Sequence, residues 1–351
     1  MKNKHYLFYF LLLLYLVLSN SFDAVAQQTP SLTILSQEVI FSDPPFAQCH
    51  ASSLIELKKD TYMAAWFGGS YESANDVCIW SSVKSNGKWS EPYRLVCGEV
   101  SDSLRYACWN PVLFRCSKKE LILYYKVGVS PREWWGMKIH SSDNGITWSP
   151  ASRLNGILGP VRNKAIVLTS GIWLNPSSTE TTDRWKVFVE RSADKGENWE
   201  VIPLDTVNSA KVIQPTLLVY PDGKIQALCR SNQNYILESW SLDEGKTWSS
   251  LQKTTVLNPN SGIDTVTLQS GLQLLVYNPM ESGKDWVNGR NKLNLAYSYD
   301  GKSWTDIYKL EDQTEGEFSY PAIIKSEDGA IHISYTYNRK TIRYVKLMLE
   351  L

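Results

Sequence analysis

The chain has 351 residues, 43% of them hydrophobic and 21% charged, with 14 Trp, 19 Tyr and 9 Phe. That much apolar and aromatic surface excludes a disordered chain, while the length leaves open two average domains or one large all-β unit. Lys and Arg (36) balance Asp and Glu (36), so no net charge draws the chain to a phosphate backbone or an anionic membrane, and nucleic acid is not an expected partner.

At the N-terminus Lys2 and Lys4 precede an apolar run over residues 6–18, and Ala24-Val25-Ala26 supplies the small-x-small pattern of a processing site. This predicts a secretory signal peptide over 1–26, cut after Ala26, and export of residues 27–351 to the periplasm or beyond. The 13-residue run is shorter than the ~18–20 residues that cross a bilayer, so no membrane span is expected after cleavage. All six Cys follow the cleavage point, where an oxidising compartment permits disulfides. They form no C-x-x-C, and only Cys49 has a His beside it, so no zinc site is expected. Cys78 and Cys229 sit in apolar alternating stretches and fit buried free thiols; pairing among the others, such as Cys49 with Cys108, stays open. No cofactor is implied.

A repeated turn follows along the chain. Ser141-Ser-Asp143-Asn-Gly145-Ile-Thr147-Trp148 recurs as Ser192-Ala-Asp194-Lys-Gly196-Glu-Asn198-Trp199 and Ser241-Leu-Asp243-Glu-Gly245-Lys-Thr247-Trp248. A shortened copy runs Ser298-Tyr-Asp300-Gly301-Lys-Ser303-Trp304, and a worn one ends in Gly87-Lys88-Trp89. The Trp positions step by 59, 51, 49 and 56 residues, the length of a four-stranded propeller blade. The Asp can accept backbone N–H bonds inside its own loop, the Gly can take positive φ, and the Trp can pack back on the blade. These aspartates are therefore structural and not candidate catalytic acids.

Before each turn comes an apolar strand opened by a polar residue: His50, Asn110, Asn163, Gln214, Asp264 and Tyr320. Six such strands predict an all-β, six-bladed β-propeller, its ring closed by pairing residues 31–41 with the last strand, 341–348, which removes the open edge. First strands of blades line the axis, so these six residues should converge at one mouth, as a ligand site requires. A long loop after a second strand carries Lys126, Trp134 and Trp135, whose rings could face a sugar. Glu180, in the polar stretch Ser177-Ser178-Thr179-Glu180, is a further carboxylate at that level.

Asp-box turns on a six-bladed pattern resemble the sialidase (neuraminidase) superfamily, in its secreted BNR-repeat branch, over essentially all of residues 27–351. The resemblance implies an Asp acid/base on blade one, here Asp76 in Tyr71-Glu72-Ser-Ala-Asn-Asp76. It implies a nucleophilic Tyr on the last blade, here Tyr320, and three Arg clamping a substrate carboxylate, of which Arg230 and Arg290 match the second and third. The first Arg is replaced by His50, in Cys49-His50-Ala51-Ser52, and the Glu that assists the Tyr is Gln214. The Glu that supports the first Arg falls where this chain reads Tyr337-Asn338-Arg339.

A phenol needs a base within hydrogen-bond reach to act as a nucleophile, and with Gln at 214 the remaining choices are His50 and Glu317. Asp76 would protonate the leaving oxygen, Arg230 and Arg290 would hold an acidic sugar, and Glu72, Asn110, Asn163, Asp264, Lys126, Trp134 and Glu180 would line the site. The expected function is an exo-acting glycoside hydrolase removing a terminal acidic sugar from a glycan. The alternatives are a carbohydrate-binding propeller without turnover, and a lyase in which His50 or Tyr320 removes a proton beside a uronate carboxylate.

Overall fold

The computed structural model describes residues 29–207, 210–285 and 287–350; the expected signal peptide, 1–26, lies outside the described residues. Among the described residues all regular structure is β, arranged as six antiparallel sheets that are the six blades of a propeller. Blade one pairs β2 (Gln48–Lys58), β3 (Thr61–Gly69), β4 (Cys78–Ser85) and β6 (Tyr93–Ser101), with β5 (Lys88–Trp89) and β7 (Leu104–Tyr106) attached. Blade two is β8 (Cys108–Arg115), β9 (Leu121–Val127), β10 (Trp135–Ser141) and β11 (Ser152–Arg153). Blade three is β12 (Ile166–Val167), β13 (Trp173–Glu180), β14 (Trp185–Ser192) and β15 (Glu200–Pro203). Blade four is β16 (Val212–Val219), β17 (Ile225–Ser231), β18 (Tyr235–Ser241) and β19 (Gln252–Leu257). Blade five is β20 (Asp264–Thr267), β21 (Gln273–Tyr277), β22 (Lys292–Ser298) and β23 (Thr305–Asp312). Blade six is β24 (Phe318–Lys325), β25 (Ile331–Tyr337) and β26 (Thr341–Glu350), and its outer strand is β1 (Ser31–Val39), so the N-terminal strand closes the ring as the edge argument requires.

Strand composition follows position in the blade. In blades two and four the first two strands, β8, β9, β16 and β17, are buried along nearly their whole length, whereas outer β1 alternates half-buried and exposed side chains. Neighbouring blades share their inner faces: Met63, Ala65, Phe67 and Ile79 of blade one pack with Leu113, Leu123 and Tyr125 of blade two. Each Met-, Phe-, Ile- or Leu-sized side chain removed from water contributes ~1.5–3 kcal/mol, so the core sits between blades and leaves the axis to polar groups.

The repeated turns behave as their composition predicts. The Asp143 carboxylate accepts from the N–H groups of Ile146 and Thr147 and from the hydroxyls of Ser141 and Thr147, and Gly145 takes φ 86°. Trp199, Trp248 and Trp304 each donate their indole N–H to the turn glycine's carbonyl at 3.0–3.2 Å. The cysteines depart from expectation at one position. Cys78 is not a free thiol: it faces Cys97 across the β4–β6 pair and forms a disulfide with it, because adjacent strands bring the two Cα atoms to 4.4 Å. Cys49, Cys108, Cys116 and Cys229 are free.

Candidate active site

The axial residues are aimed by a shared backbone defect. In β2, β8, β16 and β24 the pairing slips between His50 and Ser53, Trp109 and Val112, Ile213 and Thr216, and Ser319 and Ala322. Each slip holds a non-glycine residue in the left-handed region: Ala51 (φ 58°), Asn110 (39°), Gln214 (53°) and Tyr320 (53°). Three of them precede Pro111, Pro215 and Pro321, which disfavour helical backbone in their predecessor, so each bulge stores strain of about 1–3 kcal/mol. Hydroxyls of adjacent blades hold the bulges, with Ala51 N–H donating to Thr336 Oγ1 and Gln214 N–H to Ser178 Oγ, both at 3.1 Å. A bulge re-aims a side chain without breaking the strand, and here it presents Tyr320 to the axis.

Tyr320 is the centre of a cationic ring. The guanidinium carbons of Arg162, Arg230 and Arg290 lie 5.4, 5.6 and 5.6 Å from its ring centre. Arg230 Nη1 donates to the Tyr320 hydroxyl at 2.6 Å and to Gln214 Oε1 at 3.1 Å, and its Nε donates to Asn260 Oδ1 at 2.9 Å. The hydrogen-bond partners of this buried cation are therefore all neutral. Arg162 is fully buried, donates to the Pro321 carbonyl at 2.6 Å, and burial pulls its guanidinium down to about 10.

His50 packs on the same phenol, with ring centres 4.1 Å apart. It is 1% exposed, and neither ring nitrogen has a hydrogen-bond partner. Burial, and then the positive charges of Arg339, Arg290, Arg162 and Arg230, hold its pKa well below the ordinary value, so the ring is neutral. An imidazolium among four guanidinium groups is unfavourable, which removes His50 as the base expected to deprotonate Tyr320.

Glu317 is removed from that role too. Its carboxylate accepts from Arg290 Nη1 at 3.1 Å, Arg339 Nε at 2.7 Å and Ser319 Oγ at 3.0 Å. Arg339 also donates to Glu72 at 2.6 Å, so Glu72 sits at the site as the end of a charge chain through Arg339 and Glu317 to Arg290. Burial lowers the Arg339 pKa, but the Glu72 and Glu317 carboxylates outweigh burial and hold it above the usual range.

Other expected lining residues have different duties. The Asp264 carboxylate accepts from Lys164, Thr216 and the N–H groups of Thr265 and Ile323, so it ties blades three to six together and is not a ligand group. Asn163 donates to the carbonyls of Gln214 and Pro215 at 3.2 and 3.0 Å, buttressing the blade-four bulge. Asn110 is buried at the bulge of β8. Lys126 is a strand residue of β9, not a loop residue. It is wholly buried, donates to the Pro160 carbonyl at 2.8 Å, and burial lowers its pKa against the pull of Glu190, so it meets no sugar. Trp134 packs edge-on against Trp109 at 5.9 Å and joins the core between blades one and two.

Asp76 is exposed and accepts from Ser70 N–H at 3.0 Å and Ser70 Oγ at 2.5 Å, closing its own loop. Glu180 ends strand β13 instead of lying in a loop. It shares a strand face with Ser178, whose hydroxyl holds Gln214, and burial raises its pKa while Arg230 and Arg132 oppose the rise. The fold thus assembles His50, Gln214, Arg230, Arg290, Glu317 and Tyr320 into one cluster. Sequence reasoning missed Arg162 and Arg339. Arg162 adjoins Asn163, but blade three opens with the two-residue β12 and no slip, so the residue facing the axis stands one place earlier than the repeat suggests.

A six-bladed propeller with repeated Asp-box turns, built around a Tyr and three arginines, is a propeller of the sialidase superfamily. A family profile described as a BNR repeat-like domain matches residues 60–333, and the chain belongs to that family. An anhydrosialidase of Macrobdella decora is 25% identical over 244 residues, a match covering 61% of this chain and 31% of that relative's length. Among solved structures, a protein of unknown function from Dyadobacter fermentans superposes with a TM-score of 0.74 at 15% identity, covering 92% of this chain and all of the other. The NanB sialidase of Streptococcus pneumoniae superposes with a TM-score of 0.64 at 13% identity, over 89% of this chain and 70% of the sialidase. At these identities the structural likeness speaks for the fold.

Proposed function

We propose that this protein is an exported, exo-acting glycoside hydrolase that removes a terminal acidic sugar from glycans. The observation that carries the reading is Arg230, a guanidinium only 7% exposed whose hydrogen-bond partners are all neutral, flanked at the axis by Arg162 and Arg290. A buried cation with no bonded anion is stabilised by a carboxylate, and the fork of Arg suits a carboxylate on a sugar. In this reading Tyr320 Oη attacks the anomeric carbon and Asp76 protonates the departing oxygen. With Gln at 214, the Tyr320 proton passes to a different carboxylate, and Glu180 is the one this reading assigns. The anhydrosialidase and sialidase among the related proteins support an acidic substrate.

A second reading has specific support: a lyase, because Tyr320 has Gln214 in place of an assisting Glu and a neutral His50 against its ring. The test is incubation of the purified chain with terminal sialosides, uronides and neutral glycosides, following products by mass and ultraviolet absorbance, beside Tyr320→Phe. Release of a saturated acidic sugar, lost in Tyr320→Phe, is the expected result. An unsaturated product selects the lyase, and binding without turnover across the panel refutes both in favour of a carbohydrate-binding propeller.

A further inference from the structure

The arginine ring can donate hydrogen bonds but cannot accept them, since guanidinium has no acceptor. Gln214 Oε1 is occupied by Arg230, and Glu317 by Arg290, Arg339 and Ser319. A substrate hydroxyl that must donate therefore finds few open acceptors among these cations. His50 is different in kind. It lies against Tyr320 within the ring, is nine-tenths buried and more, and leaves both nitrogens unpartnered. Buried polar atoms are bonded as a rule, so two orphaned nitrogens on one axial side chain mark a place completed by a ligand. A neutral imidazole carries one N–H donor and one bare acceptor nitrogen.

We propose that His50 binds substrate directly, its acceptor nitrogen receiving a hydroxyl that neighbours the sugar's carboxylate, so that this site selects hydroxylated sugar acids by a donor–acceptor pair. The assignment rests on the acidic-sugar reading above and sharpens it: the arginines read the charge, and His50 reads the hydroxyl beside it. An Arg at this position would add a third or fourth donor and no acceptor. A carboxylate alone is satisfied by the arginines and leaves the His50 acceptor unused, whereas a carboxylate with an adjacent hydroxyl engages the arginines and that nitrogen together. Losing such a hydroxyl leaves a buried acceptor unpaired, which weakens binding at least tenfold and more when the site is dry.

The experiment uses the full chain labelled with 15N-histidine, with His50→Gln assigning the His50 signals. The ring nitrogens are followed by NMR while D-glucuronic acid, its 4-deoxy analogue and N-acetylneuraminic acid are titrated in, with affinities from calorimetry. The expected result is that a bound acid shifts both His50 nitrogens and leaves those of His332, already bonded to Tyr344 and Ser326, in place. The 4-deoxy analogue is expected to bind at least tenfold more weakly than its parent, and His50→Gln to erase that preference. Acids that bind while the His50 nitrogens stay unmoved, or a deoxy analogue that binds as well as its parent, overturn this inference alone. Failure of every acid to bind overturns the acidic-sugar reading together with it. The calorimetric comparison of the deoxy analogue with its parent on the wild-type chain needs no variant to fold.

Discussion

Replacing Arg230 with Met separates a functional cation from a structural one. The side chain is buried, and its three hydrogen bonds go to Tyr320, Gln214 and Asn260. A carboxylate ~4 Å from the guanidinium gains about 4 kcal/mol at an effective dielectric of ~20, before its own desolvation is subtracted. Truncating one side of such a buried pair costs roughly 2–5 kcal/mol, so Arg230→Met is expected to lower kcat/KM on an acidic glycoside by about a hundredfold or more. Arg230→Lys keeps the charge and loses the fork, and should fall between. Stability should move the other way or hardly at all. The substitution withdraws a charge that has no bonded anion, a gain that offsets the ~1 kcal/mol for each acceptor left short of a donor. The assays are steady-state kinetics and urea denaturation on the same preparations. A large drop in the denaturation midpoint with kcat/KM unchanged would refute the argument, since Arg230 would then be a structural strut.

Gly262 lies under the phenol: a Cβ there would stand 3.1–3.3 Å from Tyr320 ring atoms, so Gly262→Ala should push the ring by a few tenths of an ångström and lower kcat by about tenfold, more than it raises KM. Hydrogen bonds hold Asp143, Asp194 and Asp243 at about 2 in the folded chain, led by Thr147, Asn198 and Thr247 respectively. Because these values lie below the ~3.9 of an unfolded Asp, the stabilisation is complete above about pH 4 and lost as pH falls toward 2. The triple Asp→Asn variant should thus melt below wild type at pH 6, with the gap closing at pH 2.5; a gap that widens in acid contradicts the assignment. The Cys78–Cys97 disulfide spans 19 residues, for which loop closure gives about 3 kcal/mol, so replacing both with Ser should lower the denaturation midpoint measurably.

Much of the architecture was legible in the chain before any coordinates. The turn motif repeats its own chemistry locally: Ser, Asp, Gly and Trp within eight residues bond to one another, so each turn is readable without knowing what surrounds it. Blade count and ring closure follow, because a period of about fifty residues and an unpaired strand at each end admit few other arrangements. Tyr320 and Arg230 were legible as axial residues too, since one stands near the start of the first strand of blade six and the other near the end of the second strand of blade four, whereas Arg290 lies in the loop ahead of β22.

The tertiary structure alone decided the partnerships across the axis. Arg162 reaches the Tyr320 ring and the Pro321 carbonyl from the start of blade three, and Arg339 of blade six reaches Glu72 of blade one; no local signal marks a side chain whose partners lie 159 or 267 residues away. Lys126 and Asp264 read as site residues by type and spacing, yet neighbouring blades bury the first and consume every oxygen of the second. The Cys78–Cys97 pair needed the register of β4 on β6. The charge state of His50 is the clearest case. An imidazole in isolation titrates near neutrality, and only the convergence of burial with four guanidinium groups makes it a neutral group with two unspent nitrogens, because desolvation and charge repulsion act through space and not along the chain.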